Sequence, residues 1–170
     1  VIVRANISTR LGLLVKTWTI ENPTSRLILH VHWDLSSFAG SLRLGYVTLF
    51  PEQFDSAGPC VFSSHNGGKE LEHFETTTHV DHGRASSLLV SARQLLGITG
   101  GSASIGDTKK QVVVQCDKSV SALVGMVQHV PINGQSLSRL MLSGGEIDDT
   151  SKSRQNGLFE ARIQYFANEL

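Results

Sequence analysis

The sequence predicts an all-β chain folded as an antiparallel β-sandwich, and three observations carry the expectation. Apolar and polar residues alternate with period two in one run after another, the residue-by-residue alternation of a half-buried strand. No periodic segment is long enough to make a confident helix of more than about ten residues. Gly, Asn-Pro and Asn-Gly punctuation separates the runs at short intervals, as in sandwiches built from many strands.

The elements follow in order. Leu13 to Glu21, LLVKTWTIE, is dense in β-branched and aromatic residues and stops at Asn22-Pro23. Arg26 to Asp34, RLILHVHWD, places Leu27, Leu29, Val31 and Trp33 on one face and His30, His32 and Asp34 on the other. The short Asn-Pro-Thr-Ser connection makes these two an antiparallel hairpin. Ser41 to Phe50 forms a third strand closed by Pro51, and a short strand is open at Cys60 to Ser63. Glu70 to His79 alternates as a charged, edge-like strand. Asp81 to Arg84 reads as a turn, and Ser87 to Leu96 is open between a short helix and an apolar strand. The glycines of Gly97 to Gly106 exclude a long regular element there. Lys110 to Asp117 and Ala122 to Val130 read as strands around an Asp117-Lys118-Ser119 turn. Asn133 to Leu142 holds a short strand or turn, and Gly144 to Asn156 a polar loop. Gly157 to Ala167 alternates Phe159, Ala161, Ile163 and Tyr165 against Leu158, Glu160, Arg162 and Gln164.

The chain has 170 residues, with 15 basic and 15 acidic side chains and a net charge of zero. Residues 1–170 are expected to form a single β-sandwich domain, since neither an internal repeat nor a compositional break divides them. Without a basic stripe, nucleic acid is not an expected partner, and no apolar run is long enough to span a bilayer as a helix. Val1 in place of an initiating Met, with Arg4, Arg10 and Lys16 interrupting any leader-like core, reads as a fragment of a longer chain. The two cysteines, Cys60 and Cys116, permit one disulfide and demand none, and the compartment stays open.

The densest polar cluster runs from Ser63 to Phe74. Its Asn66-Gly67-Gly68 turn would hold His65 and Glu70 at the two mouths of a loop. Imidazoles, planar amides and carboxylates beside an aromatic platform are the groups that hold a sugar, and Trp33, Trp18 or Tyr46 could supply the platform. Glu70 and Glu72 would share a strand face about 6–7 Å apart, a spacing compatible with glycoside acid/base chemistry and equally with two surface glutamates. His30, His32 and Asp34 make half of a metal site that His65, Glu70 or His73 would have to complete. No HExxH or paired-Cys spacing supports it, so neither metal nor cofactor is expected. No GxSxG or reactive-thiol context marks a nucleophile, and the catalytic residues are unknown.

The succession KTWTIENPTSRLILHVHWDL, SLRLGYVTLFP and SSHNGGKELEHFE resembles the C-terminal β-supersandwich region of α-amylase/α-mannosidase-like glycoside hydrolases, a galactose-mutarotase-like domain. The likeness spans residues 10–130 and rests on Ser64, His65, Asn66, Gly67, Gly68, Glu70 and Glu72. It implies an accessory, structural domain of a carbohydrate-active enzyme whose catalytic barrel is missing from this chain, with carbohydrate and that missing catalytic domain as partners. Together with the reading of the strand faces, this makes His30, His32, Trp33, His65, Asn66, Glu70 and Glu72 the expected carbohydrate-contacting residues. Two other classes stand beside it: a stand-alone sugar-binding or mutarotase-like protein, and a β-sandwich assembly module without a ligand.

Overall fold

The structure, a computed structural model, describes residues 1–37, 42–50, 60–65, 68–75, 80–81, 95–97, 100–107, 109–120, 124–132, 135–145 and 155–167. Within them the chain is all-β. The strands are β1 (Ile2–Thr9), β2 (Gly12–Glu21), β3 (Arg26–Leu35), β4 (Leu42–Leu49), β5 (Val61–Ser64), β6 (Glu72–Glu75), β7 (Val80–Asp81), β8 (Leu95–Gly97), β9 (Ser102–Gly106), β10 (Lys110–Cys116), β11 (Val124–Ile132), β12 (Gln135–Gly145) and β13 (Asn156–Ala167). They form two antiparallel sheets in a sandwich-like arrangement. The larger has eight strands in the order β1-β2-β3-β13-β10-β9-β5-β6, and the smaller runs β4-β12-β11-β7 with β8 also on β11.

Period-two alternation decides which side chains lie between the sheets. On β3, Leu29, Val31, Trp33 and Leu35 are buried, while His32 and Asp34 are exposed and His30 half-buried. On β13, Phe159 and Ala161 point the same way, and Val112, Val114 and Cys116 continue the layer on β10. Leu44, Leu49, Leu140 and Leu142 close it from the smaller sheet. The hairpin turn falls where the sequence places it, between Glu21 and Arg26, and includes a cis Asn22–Pro23 peptide.

Three strands depart from the sequence expectation, one of them β12, which runs eleven residues inside the smaller sheet where a short strand or turn is expected over Asn133–Leu142. Ile2–Thr9, which sequence reading treats only as a segment unlike a leader, is a full strand paired with β2 from Ile2↔Thr19 to Thr9↔Gly12. The glycine-rich stretch from Gly97 to Gly106 contains β9, whose Ala103 and Ile105 are core residues between exposed-side serines. The element is short, as its glycines require: Gly101 precedes β9 with φ of 73° and Gly106 closes it after five residues. The Ser87–Leu96 question is answered only at its end, where Leu95–Gly97 is strand. The rest of that stretch, and most of the Asp81–Arg84 turn and the Gly144–Asn156 loop, lie outside the described residues.

The cysteines sit at opposite ends of β9. Cys116 N donates to Gly101 O, at 2.7 Å, while Cys60 immediately precedes Val61, which pairs with Gly106. Five strand residues span roughly 16 Å, far beyond the ~7 Å Cα separation that a disulfide bridges. Both remain buried thiols, so the bridge that two cysteines permit does not form here.

Candidate functional site

The predicted contact residues scatter. Trp33 is 1% exposed and belongs to the core, so it offers no stacking platform. Its ring lies against Gly157, where an added Cβ would come within 2.3 Å of the indole Cζ2. Trp18 is half-buried against the same core, and the exposed Tyr46 ring is covered by the Arg139 guanidinium, 5.1 Å from its centroid. β6 begins at Glu72, so Glu70 lies in the preceding bend and the two glutamates do not share a strand face. Glu72 pairs with Ser64 on the face that carries Phe62 and Phe74 toward the core, whereas His73 faces the other way and meets Ser63 Oγ through Nδ1 at 2.8 Å. Asn66 lies outside the described residues. His32 points outward, and among the described residues no three His, Cys, Asp or Glu side chains gather to hold a metal ion.

His30 and His65 have more to say, because both lead to one polar cavity on the outer face of the larger sheet. Antiparallel pairing sets Ser102 of β9, Gln115 of β10 and Arg162 of β13 in a single cross-strand row. Strands about 4.8 Å apart make that row roughly 10 Å long. Gly100, Gly101 and Asp117 raise a rim around it, and the open cavity has a volume of about 310 Å³. The side of His65 packs on Gly100, within 3.1 Å of where a Cβ would stand. Gly101 needs its left-handed φ for this turn, and a side chain there would strike Lys118 and Cys116 O.

The charges around the cavity are held in place. Arg162 donates through Nε to Glu160 Oε1 at 3.1 Å, and the second Glu160 oxygen lies 3.7 Å from His30 Nδ1. Glu160 thus holds the guanidinium through its Nε. Asp117 Oδ1 accepts from the hydroxyl of Ser119 at 2.6 Å and from its backbone N–H at 2.8 Å. Those bonds, with a smaller contribution from the charge of Arg162, hold the Asp117 carboxyl below its ordinary value, so it is ionised at neutral pH. Neither Arg162 nor Gln115 is visible as a site residue in the sequence. The strands that align them are separated by about 40 residues of chain, and only their pairing creates the row.

A second surface feature lies at the sheet's β1 end. The core-side face of β1 and β2 carries Val1, Val3 and Ile7 beside Ile20, Trp18 and Leu14. Val3 is 50%, Ile7 39% and Ile20 48% exposed, whereas Val31, on the same face two strands in, is fully buried. Lys16 marks the boundary. It projects from the core-side face and its ammonium donates to the carbonyl of Leu44, at the irregular edge of β4. Burial pushes the Lys16 amine below its usual value.

No family model matches the sequence, and no curated protein matches it. Carbohydrate binding, glycoside hydrolase and hydrolase character, which the resemblance implied, are corrected accordingly. No comparison supports them, and no catalytic or metal-binding cluster forms among the described residues. The structure adds a physical reason: the expected platform is core and the expected carboxylate pair is split.

Proposed function

We propose that the chain is an assembly module whose β1–β2 flank takes an extended strand from a partner polypeptide. The observation that carries this reading is the row Val1, Val3, Ile7 and Ile20, exposed on the very face that becomes core two strands further in. An edge strand with unpaired peptide groups and an apolar face is a template for strand addition. Charge selects the partner. From Val1 to Lys16 the hairpin holds Arg4, Arg10 and Lys16 and not one acidic residue, so the fitting segment alternates apolar residues with Asp or Glu. The finer reading of the fold as a supersandwich belongs to the same proposal, since an eight-stranded sheet outreaches its smaller mate and leaves a flank to cover. In this role the module braces a partner, and its surfaces do the work.

Hydrogen exchange tests the idea with a synthetic peptide alternating Val and Glu, set against one of equal length alternating Val and Lys. The Val-Glu peptide is expected to protect alternate β1 amides, and the double variant Val3→Lys/Ile7→Lys to lose that protection. Equal behaviour of the two peptides, or protection by neither, would overturn the proposal.

A further inference from the structure

We infer that the polar cavity on β9, β10 and β13 is a binding site for a small amino-acid-type zwitterion, independent of the β1–β2 flank. Arg162 supplies the positive charge of the site. Its Nε is committed to Glu160, and among the described residues no acceptor takes up its two Nη groups. A guanidinium anchored through Nε offers an end-on fork of parallel donors that matches a carboxylate.

Asp117 supplies the opposite charge. Ser119 occupies Oδ1 alone, so Oδ2 remains as an acceptor of fixed position and fixed charge, suited to an ammonium. The two groups sense each other electrostatically, yet no Arg162–Asp117 ion pair forms within 4.0 Å. Each is instead held by another neighbour, Arg162 by Glu160 and Asp117 by Ser119. Opposite charges that line one cavity without pairing complement a molecule carrying both charges.

The remaining lining agrees with that class. Gln115 and Ser102 in the same row offer an amide and a hydroxyl, groups that orient a polar ligand without adding net charge. A volume of about 310 Å³ lies at the lower limit of small-molecule sites and admits a molecule of amino-acid size. The row is fixed by two strand pairings, so the site exists before any ligand arrives.

The test is an amide-resolved NMR titration of the full chain with glycine, β-alanine and γ-aminobutyrate, and with propionate and propylamine as half-ligands. At least one amino acid is expected to shift the Ser102, Gln115 and Arg162 amides saturably at millimolar concentration or below. Asp117→Asn and Arg162→Gln should each weaken it by at least about tenfold, the loss of one charge-assisted contact. Arg162→Lys keeps the charge without the fork and should also weaken binding. Both side chains are exposed, and a retained amide spectrum in each variant verifies the fold. Absence of saturable shifts, half-ligands that bind as well as the amino acids, or unaltered affinity in both charge-removing variants would each overturn the inference.

Discussion

Two regions of the eight-stranded sheet share one hydrogen-bonding pattern and differ in everything else. At its centre β3, β13, β10 and β9 face the smaller sheet and bury Val31, Phe159, Val114 and Ile105 completely. At its β1 end the same ladder continues, residue for residue, with that side exposed. Backbone pairing therefore does not separate them; burial does. The opposite edge sharpens the contrast. β6 is a four-residue strand bearing Glu72 and Glu75, the short and charged kind of edge that resists strand addition, while β1 has eight residues with Ile2, Val3 and Ile7 exposed. A sheet that guards one edge and leaves the other apolar has a direction, and that direction is the basis of the proposed assembly role.

The contrast is sharpest at Trp33. Trp33→Ala is expected to lower unfolding free energy by about 3–5 kcal/mol, because a fully buried indole leaves a cavity. Urea denaturation with an unchanged m-value checks it, and a loss as small as that of an edge residue would erase the distinction between centre and flank. Gly157→Ala should cost about 1–3 kcal/mol by overpacking against the same ring, read from the same curves.

At the boundary the effect becomes one of pH. Lys16 has a folded pKa below its ordinary 10.5, so its contribution is present above 10.5 and lost as pH falls through the lowered value. Stability should rise with pH across that window. Cys60 acts oppositely: burial, with the Asp107 charge adding to it, raises its thiol above the ordinary 9.0. Its contribution is present below 9.0 and lost as pH climbs through the raised value. Lys16→Met should remove the rise and Cys60→Ala the fall, measured by chemical denaturation at stepped alkaline pH. Smallest of all is Val3→Thr on the flank, expected within about 0.5 kcal/mol of the parent chain. A larger loss would show that β1 is already covered in solution.

The sequence announces some of this and conceals the rest for physical reasons. β3 and β13 are legible because one face meets core and the other water, so alternation is clean from Leu29 to Trp33 and from Phe159 to Ile163. β1 hides because Ile2 and Val3 are both apolar and both exposed, which erases the contrast on which periodicity depends. β9 hides because its alternation is carried by Ala103 and Ile105 among small residues that resemble loop. The candidate site is harder still. His30 stands out in the sequence as a possible sugar contact, yet its described neighbour is Glu160, and the guanidinium behind Glu160 matters more than the imidazole. Trp33 stands out as an aromatic platform for the same reason that it is buried: a large ring on the apolar face of a central strand.

The separation of the two thiols across β9 gives the molecule a pair of built-in clocks. Because Cys60 and Cys116 cannot meet, each can be alkylated only when its own end of the sandwich opens. The Cys116 rate times excursions beside the polar cavity, and the Cys60 rate times those at the Asp107 turn. Equal rates would mean that the sandwich opens as one unit, and unequal rates would say which end lets go first.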